Sequence, residues 1–237
     1  MKAYFRANNA STAPSWNRSL VHVPIGVNSG RTYNTTACSL QFDIPNDIGP
    51  PVFLYYRLTD FYQNHRRYVK SFDQDQLNGK FRSNSTINGS NCDPLQHNGS
   101  DKDPQFAYYP CGLIANSLFN DTIMAPMLLN VPGSSGSAGQ VYNMTAKGIA
   151  WSSDASLYGK SAYQPNQVAP PPNWMKRYPD GYNDDTFPLP DLHGDEGFQV
   201  WMRTAGLPTF SKLALRSDDS VMRSGRYQIT IYDGERR

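Results

Sequence analysis

Tyr227-Gln-Ile-Thr-Ile-Tyr232 is the cleanest strand in this chain. Apolar or aromatic residues alternate with polar ones, the period of a strand with one covered face. Ser39-Leu-Gln-Phe-Asp-Ile44 repeats the pattern and puts Leu40, Phe42 and Ile44 on one face. A turn at Pro45–Pro51 follows. Val52–Leu58 is nearly all apolar or aromatic, as expected of a strand covered on both faces, and Phe61–Val69 comes after a short connection. Further on, Phe198, Val200 and Met202 alternate with Gln199, Trp201 and Arg203, which predicts another strand. Pro208 suits the first turn of a helix carrying Phe210 and Leu213 inward. Cys111–Phe119 reads as a short helix, with Leu113, Ile114 and Leu118 on adjacent turns.

The rest is punctuation. Residues 1–36 are polar and poorly periodic, and read as an extended arm or loop with at most one short strand at Leu20–Val23. Asn78–Pro104 reads as a long surface loop, Pro132–Gly139 as a flexible tip, and Gln164–Pro172 and Tyr178–Pro190 as Pro-rich irregular stretches. Strands separated by long loops, without regular helical crossovers, predict an antiparallel β-sandwich with a few short helices. No compositional break divides the 237 residues. One domain over 1–237 is expected, with the arm at 1–36 and the sandwich core with loop insertions at 37–237.

Composition narrows the function. A net charge of +2 argues against a nucleic-acid binder, which carries a strongly basic face. No run of about 18 apolar residues spans a bilayer, and Met1–Thr12 lacks the apolar core of a signal peptide. Yet Asn-x-Ser/Thr acceptors occur at Asn9, Asn17, Asn34, Asn84, Asn88, Asn98, Asn120 and Asn143. That density points to a glycosylated lumenal or extracellular surface, with polar loop composition as the bland alternative. Asn120, in Phe119-Asn-Asp-Thr122, is the first expected site, followed by Asn34 and Asn143, then Asn84, Asn88 and Asn98. Of the cysteines, Cys92 and Cys111 enclose a short polar loop and form the better disulfide pair, leaving Cys38 free. Zinc is the weaker alternative, since there is no Cys-x-x-Cys.

No chemical constellation is complete. Asp73-Gln-Asp-Gln-Leu-Asn-Gly79 begins like a calcium loop but has Leu77 and Asn84 where carboxylates belong. His193-Gly-Asp-Glu196 has no nucleophile at a recognisable spacing. Ser134, Ser135 and Ser137 do not fit a nucleophile elbow. No catalytic, metal or cofactor residue is assigned. His65-Arg66-Arg67 is either a headgroup- or partner-binding cluster or a set of arginines pairing with Asp60, Asp73 or Asp75. Along a strand, residues 65 and 67 would share one face and 66 the other. Trp151, Trp174 and Trp201 are core residues by default and interface anchors as the alternative.

Five stretches, in order, resemble the cell division control protein 50 family, also called the ligand-effect modulator family. They are YYRLTDFYQNHRRYVKSFDQDQLNG (55–79), YPCGLIANSLFNDT (109–122), KGIAWSSD (147–154), PNWMKRY (172–178) and FQVWMRTAGLPTFSKL (198–213). The resemblance implies a jelly-roll-like lumenal domain between two membrane helices, the non-catalytic accessory subunit of a lipid-flipping type IV P-type ATPase. Such a subunit caps loops of the ATPase and supports its exit from the endoplasmic reticulum. Hydrolysis and lipid translocation belong to the partner. Arg66, Arg67, Trp201 and Arg203 are the candidate partner-interface residues. The chain departs from the family pattern in lacking both flanking helices and the upstream cysteine that usually pairs with the one matching Cys38, and in ending at Arg237; an excised ectodomain is expected. A secreted carbohydrate-binding or glycan-hydrolysing sandwich is the alternative.

Overall fold

The computed structural model describes residues 13–27, 29–100, 103–130 and 139–234. In chain order the strands are β1 (Ser15–Ile25), β2 (Arg31–Ile44), β3 (Val52–Leu58), β4 (His97–Ser100), β5 (Asp103–Tyr108), β6 (Thr122–Ile123), β7 (Met127–Leu128), β8 (Gln140–Val141), β9 (Val168–Ala169), β10 (Phe210–Ser217) and β11 (Gly225–Tyr232). The helices are α1 (Gln74–Leu77), α2 (Asn84–Asn88), α3 (Leu113–Asn116) and α4 (Glu196–Met202).

The large sheet runs β1-β2-β11-β7-β8, with β6 also on β11. All its pairings are antiparallel. Phe42, Leu128, Tyr227, Ile229 and Ile231 on its inner face form one core, against which Val52 and Leu54 of β3 pack. β3 pairs antiparallel with β10 as a facing two-stranded sheet. The chain is therefore mainly β and built as two packed layers, as its alternating segments predict.

A second, more aromatic core lies outside the two sheets. Tyr109, Tyr158, Tyr163, Trp174, Tyr178, Tyr182, Phe187 and Phe198 cluster there with Leu77, Val168 and Leu192. Irregular backbone buried in such a core needs hydrogen-bond partners, and the ring tips supply them. The Tyr182 hydroxyl donates to the Tyr109 carbonyl at 2.6 Å and the Tyr163 hydroxyl to the Arg82 carbonyl at 2.7 Å. These two tyrosines combine apolar bulk with a polar tip that reaches buried backbone.

Six readings from the sequence need correction. Residues 13–27 and 29–36 are no arm. β1 and most of β2 form a long hairpin, in register from Ser15↔Gln41 to Ile25↔Arg31. β1 is exposed along most of its length, so its pairing leaves no trace in hydrophobic alternation. β3 is covered on one face only, with Phe53, Tyr55 and Arg57 outward. Phe61–Val69 is a series of turns without a strand. Residues 196–202 are helical: the Asp195 carboxylate accepts the Phe198 N–H at 2.9 Å as N-cap, and Phe198, Gln199 and Trp201 are buried together. The expected helix after Pro208 is instead β10, whose partner β3 lies some 150 residues upstream in the chain.

The Asn78–Pro104 stretch is likewise more than a loop. It holds α2, β4 and the start of β5, and Ile87 is fully buried with Cys92, Ala107 and Cys111. Cys92 and Cys111 are joined by a disulfide, with Cα atoms 5.6 Å apart. Cys38 is free. Asn9 and the tip expected from Pro132, all but Gly139, fall outside the described residues.

Candidate partner interface

The family-like stretches interlock through buried polar side chains. Gln63 is fully buried, and its Oε1 accepts the Ala205 N–H at 2.9 Å. Gln76, also fully buried, accepts from the Cys111 N–H and donates to the Tyr108 carbonyl, both at 2.9 Å. Ser71 Oγ accepts the Leu113 N–H at 2.9 Å. Two indoles fasten α3: Trp201 Nε1 donates to the Ile114 carbonyl at 2.8 Å and Trp174 Nε1 to the Ala115 carbonyl at 3.0 Å. Each contact satisfies a buried group that would otherwise destabilise the fold by about 1–3 kcal/mol. Trp201 is thus a core residue, 1% exposed and edge-on to Phe61 at 5.5 Å. Its side chain contributes no surface.

Arg203, two residues on, reaches that surface. Its Nε and Nη2 donate to the two carboxylate oxygens of Asp154 at 3.0 and 2.6 Å. Its guanidinium carbon stands 3.9 Å from the centre of the Trp151 ring. The Asp154 carboxylate raises the pKa of Arg203 further through its hydrogen bond, against a smaller opposing effect of burial. Trp151 itself is 65% exposed. The loop bearing Trp151 is fixed from beneath: Glu196 Oε2 accepts the N–H groups of Ile149 and Ala150 at 2.8 and 3.0 Å. Burial pushes the Glu196 carboxyl upward. The N–H groups of Ala150, Gly148 and Ile149, with Lys147, outweigh that and hold it below the ordinary value.

Beside this platform, the end of α4 meets the turns after β3. The Asn64 amide donates to the Gly206 carbonyl at 3.1 Å, and the Phe61 N–H to the Pro208 carbonyl at 3.1 Å. This brings exposed Tyr62 and Leu207 onto neighbouring loops, 59% and 70% exposed. Lys212 braces the end of α4, its Nζ donating to the carbonyls of Val200, at 2.9 Å, and Arg203. Burial, with some help from Arg203, draws the Lys212 amine down to about 8.

Arg66 and Arg67 are exposed on the adjoining turn with His65 and Lys70. Among the described residues neither guanidinium pairs with an acid; Asp73 and Asp75 pair instead with Arg82 and Lys80. Asp73 also caps α1, accepting the Gln76 N–H at 2.8 Å. His193 Nδ1 faces the carbonyls of Ala155 and Tyr158 at 3.1 and 2.9 Å. Among the described residues no three His, Cys, Asp or Glu side chains are grouped to hold a metal ion.

The sequon asparagines divide by environment. Asn34, Asn88, Asn120 and Asn143 are exposed, while Asn84 and Asn98 are partly buried. Asn120 Nδ2 donates to the Gly234 carbonyl at 2.7 Å. Asn84 and Asn98 grip β5 on successive residues: Asn98 Oδ1 accepts the Phe106 N–H at 2.7 Å and Asn84 Oδ1 the Ala107 N–H at 3.0 Å.

The model of the LEM3 (ligand-effect modulator 3) family / CDC50 family matches residues 5–234. This chain belongs to that family. It is 44% identical over 234 residues to the phospholipid-transporting ATPase accessory subunit CDC50 of Chaetomium thermophilum, covering 97% of this chain and 55% of that protein. To the accessory subunit CRF1 of Saccharomyces cerevisiae it is 44% identical over 190 residues, 80% of this chain and 45% of that protein. To cell cycle control protein 50A of Rattus norvegicus it is 36% identical over 243 residues, 92% of this chain and 66% of that protein. The chain spans about half the length of the two fungal relatives.

Membership in the LEM3/CDC50 family gives the surface its context. Trp151 and Asp154 come from the KGIAWSSD stretch, Arg203 and Leu207 from the FQVWMRTAGLPTFSKL stretch, and Tyr62, Arg66 and Arg67 from the longest stretch. Sequence reasoning named Arg203 but did not join it to Trp151 and Asp154. The available signal was a Trp and an Asp three residues apart in one family-like stretch and an unpaired Arg in another. Tyr62 and Leu207 left no signal, because an exposed apolar residue reads like any other.

Proposed function

We propose that this chain is the lumenal or extracellular ectodomain of a flippase accessory subunit, without catalytic activity of its own. In the intact, membrane-anchored protein it binds the exposed loops of a type IV P-type ATPase. It supports that partner's folding, its exit from the endoplasmic reticulum and its transport cycle. ATP hydrolysis and phospholipid translocation are the partner's. The observation that carries this reading is the match over residues 5–234 to a family whose relatives are named as phospholipid-transporting ATPase accessory subunits. The surface of Trp151, Arg203, Tyr62 and Leu207, with Arg66 and Arg67 beside it, supports it further. It joins an aromatic anchor, a fixed guanidinium and unpaired positive charge, the composition of an interface hot spot. No comparison points to the carbohydrate-binding or glycan-hydrolysing alternative. The test is co-purification of the full-length protein with a type IV P-type ATPase from membranes, and of the same protein carrying Trp151→Ala. Retention by the parent and loss by the variant is the expected result. A parent protein that captures no such ATPase refutes the proposal.

A further inference from the structure

A groove of about 470 Å3 opens beside α2, its lining including Phe81, Phe106, Tyr163, Gln105, Asn166 and Gln167. Its size falls in the roughly 300–1,000 Å3 range of small-ligand sites. Phe81 and Phe106 are 55% and 42% exposed, with Phe81 leaning on Tyr163 at 5.2 Å. The wall also contains Asn84, the acceptor of Asn84-Ser-Thr86. We propose that this groove seats the first sugars of a glycan carried by Asn84, so that the chain binds its own carbohydrate.

The amide chemistry fits. Asn84 Oδ1 accepts the Ala107 N–H at 3.0 Å, and Nδ2 donates one hydrogen to the Gln105 carbonyl at 2.8 Å. Glycosylation replaces one amide hydrogen. Nδ2 attacks C1 of an oligosaccharide on a polyprenyl pyrophosphate donor, the Nδ2–C1 bond forms, and the C1–O bond to pyrophosphate breaks. The displaced amide proton leaves with base. The product keeps the carbonyl oxygen, so the amide still accepts the Ala107 N–H after modification. The sugar takes the remaining Nδ2 position, at the wall of the groove. There the C–H face of a pyranose meets the faces of Phe81 and Phe106. Its hydroxyls and N-acetyl group meet the amides of Asn166 and Gln167, both exposed. Ser83 holds the acceptor in place by capping α2, its Oγ accepting the Thr86 N–H at 3.2 Å. Asn34, by contrast, lies opposite His22 on the exposed hairpin.

The inference rests on the lumenal placement proposed above, and the experiment separates the two. The intact protein is made in a eukaryotic host and its sequons are mapped by peptide mass spectrometry. The folded protein is then treated with a peptide N-glycosidase. Asn84 is expected to be occupied, and its glycan to be released about tenfold more slowly than in Phe81→Ser/Phe106→Ser, the ratio given by about 1.4 kcal/mol of seating. Melting curves establish that the double variant is folded. Should it not fold, NMR of the parent decides instead: ring currents shift the N-acetyl methyl of a seated sugar upfield, and a solvent-like shift overturns the proposal. Unmodified Asn84 alongside occupied Asn120 overturns the groove assignment alone. Absence of glycan at every sequon overturns the lumenal placement with it. Equal release rates in parent and variant also overturn the proposal.

Discussion

Arg203 lies between a buried carboxylate and an exposed ring: Asp154 holds two of its nitrogens, and Trp151 covers its face at 3.9 Å. Asp154 is 7% exposed and Trp151 65%. The planar fork of arginine allows both contacts at once, which a lysine ammonium does not. The stacking contributes about 0.5–1 kcal/mol at an exposed site, and the larger consequence is order. A tryptophan held still at the surface loses little entropy when a partner covers it.

Trp151 and Trp201 should therefore separate folding from assembly. Trp201→Ala empties a core position and removes a hydrogen bond, and is expected to destabilise the chain by about 3–5 kcal/mol. Trp151→Ala removes an exposed ring and should change stability by no more than about 1 kcal/mol, while abolishing co-purification with the ATPase. Thermal melting and pull-down on the same samples check both. A Trp151→Ala protein that assembles normally would remove the platform from the interface.

Arg66→Ser/Arg67→Ser tests the charge beside the platform. Neither guanidinium is used by the fold among the described residues, so the melting curve should stay within about 0.5 kcal/mol of the parent. Exposed interfacial charge acts mainly on association rate and its salt dependence. Partner binding by the double variant should be slower at low ionic strength and similar to the parent at high ionic strength, as measured by surface-binding kinetics. A variant that melts early would mean that the arginines serve the fold after all.

The legibility of this chain varied with the origin of the stabilising contacts. β11 and the end of β2 were readable because one face meets a core and the other does not, which imprints a period of two. β1 was not, because its partner supplies backbone hydrogen bonds and almost no burial. α4 was misread because Phe198, Val200 and Met202 alternate like a strand, while Phe198, Trp201 and Met202 satisfy a helical period equally well. The Asp195 cap was the overlooked signal. β10 was misread because Pro208 carries local information, whereas the pairing of Phe210 with Leu58 is non-local. Within the surface, Arg203 was legible as a residue and its partners were not, since nothing in sequence brings residue 154 to residue 203.

Cys92→Ser should be strongly destabilising. The disulfide closes a loop with a sequence separation of 19 and packs with Ile87 and Ala107 in a small core. Loss of such a bond typically destabilises by about 2–4 kcal/mol. The effect should extend to α3, because Ser71 Oγ reaches the Cys92 carbonyl as well as Leu113. Hydrogen exchange should accordingly show loss of protection at Leu113 along with residues 84–107. Unchanged stability in the reduced protein would contradict this.

The tyrosine-rich core predicts a specific alkaline limit. Burial raises the phenols of Tyr163, Tyr178 and Tyr182, and pushes Tyr109 and Tyr158 up to about 12. A group with a raised folded pKa keeps its proton longer in the native state. Its stabilising contribution is therefore complete below the unfolded value near 10 and is lost as pH climbs through about 12. Ionisation would also take away the proton that Tyr182 donates to the Tyr109 carbonyl. Lys212 acts with the opposite sign over an earlier window. Its folded pKa of about 8 lies below the ordinary lysine value of 10.5, so the unfolded chain binds more protons between the two and stability rises with pH there. The expected profile is a modest rise from about pH 8, then a steep fall above about pH 10. Urea midpoints across pH give the profile, and absorbance at the phenolate band counts the tyrosines that ionise late. Lys212→Met should flatten the rise and leave the fall. If all the tyrosines ionise together near 10 while the chain stays folded, the aromatic core does not bury these phenols as described.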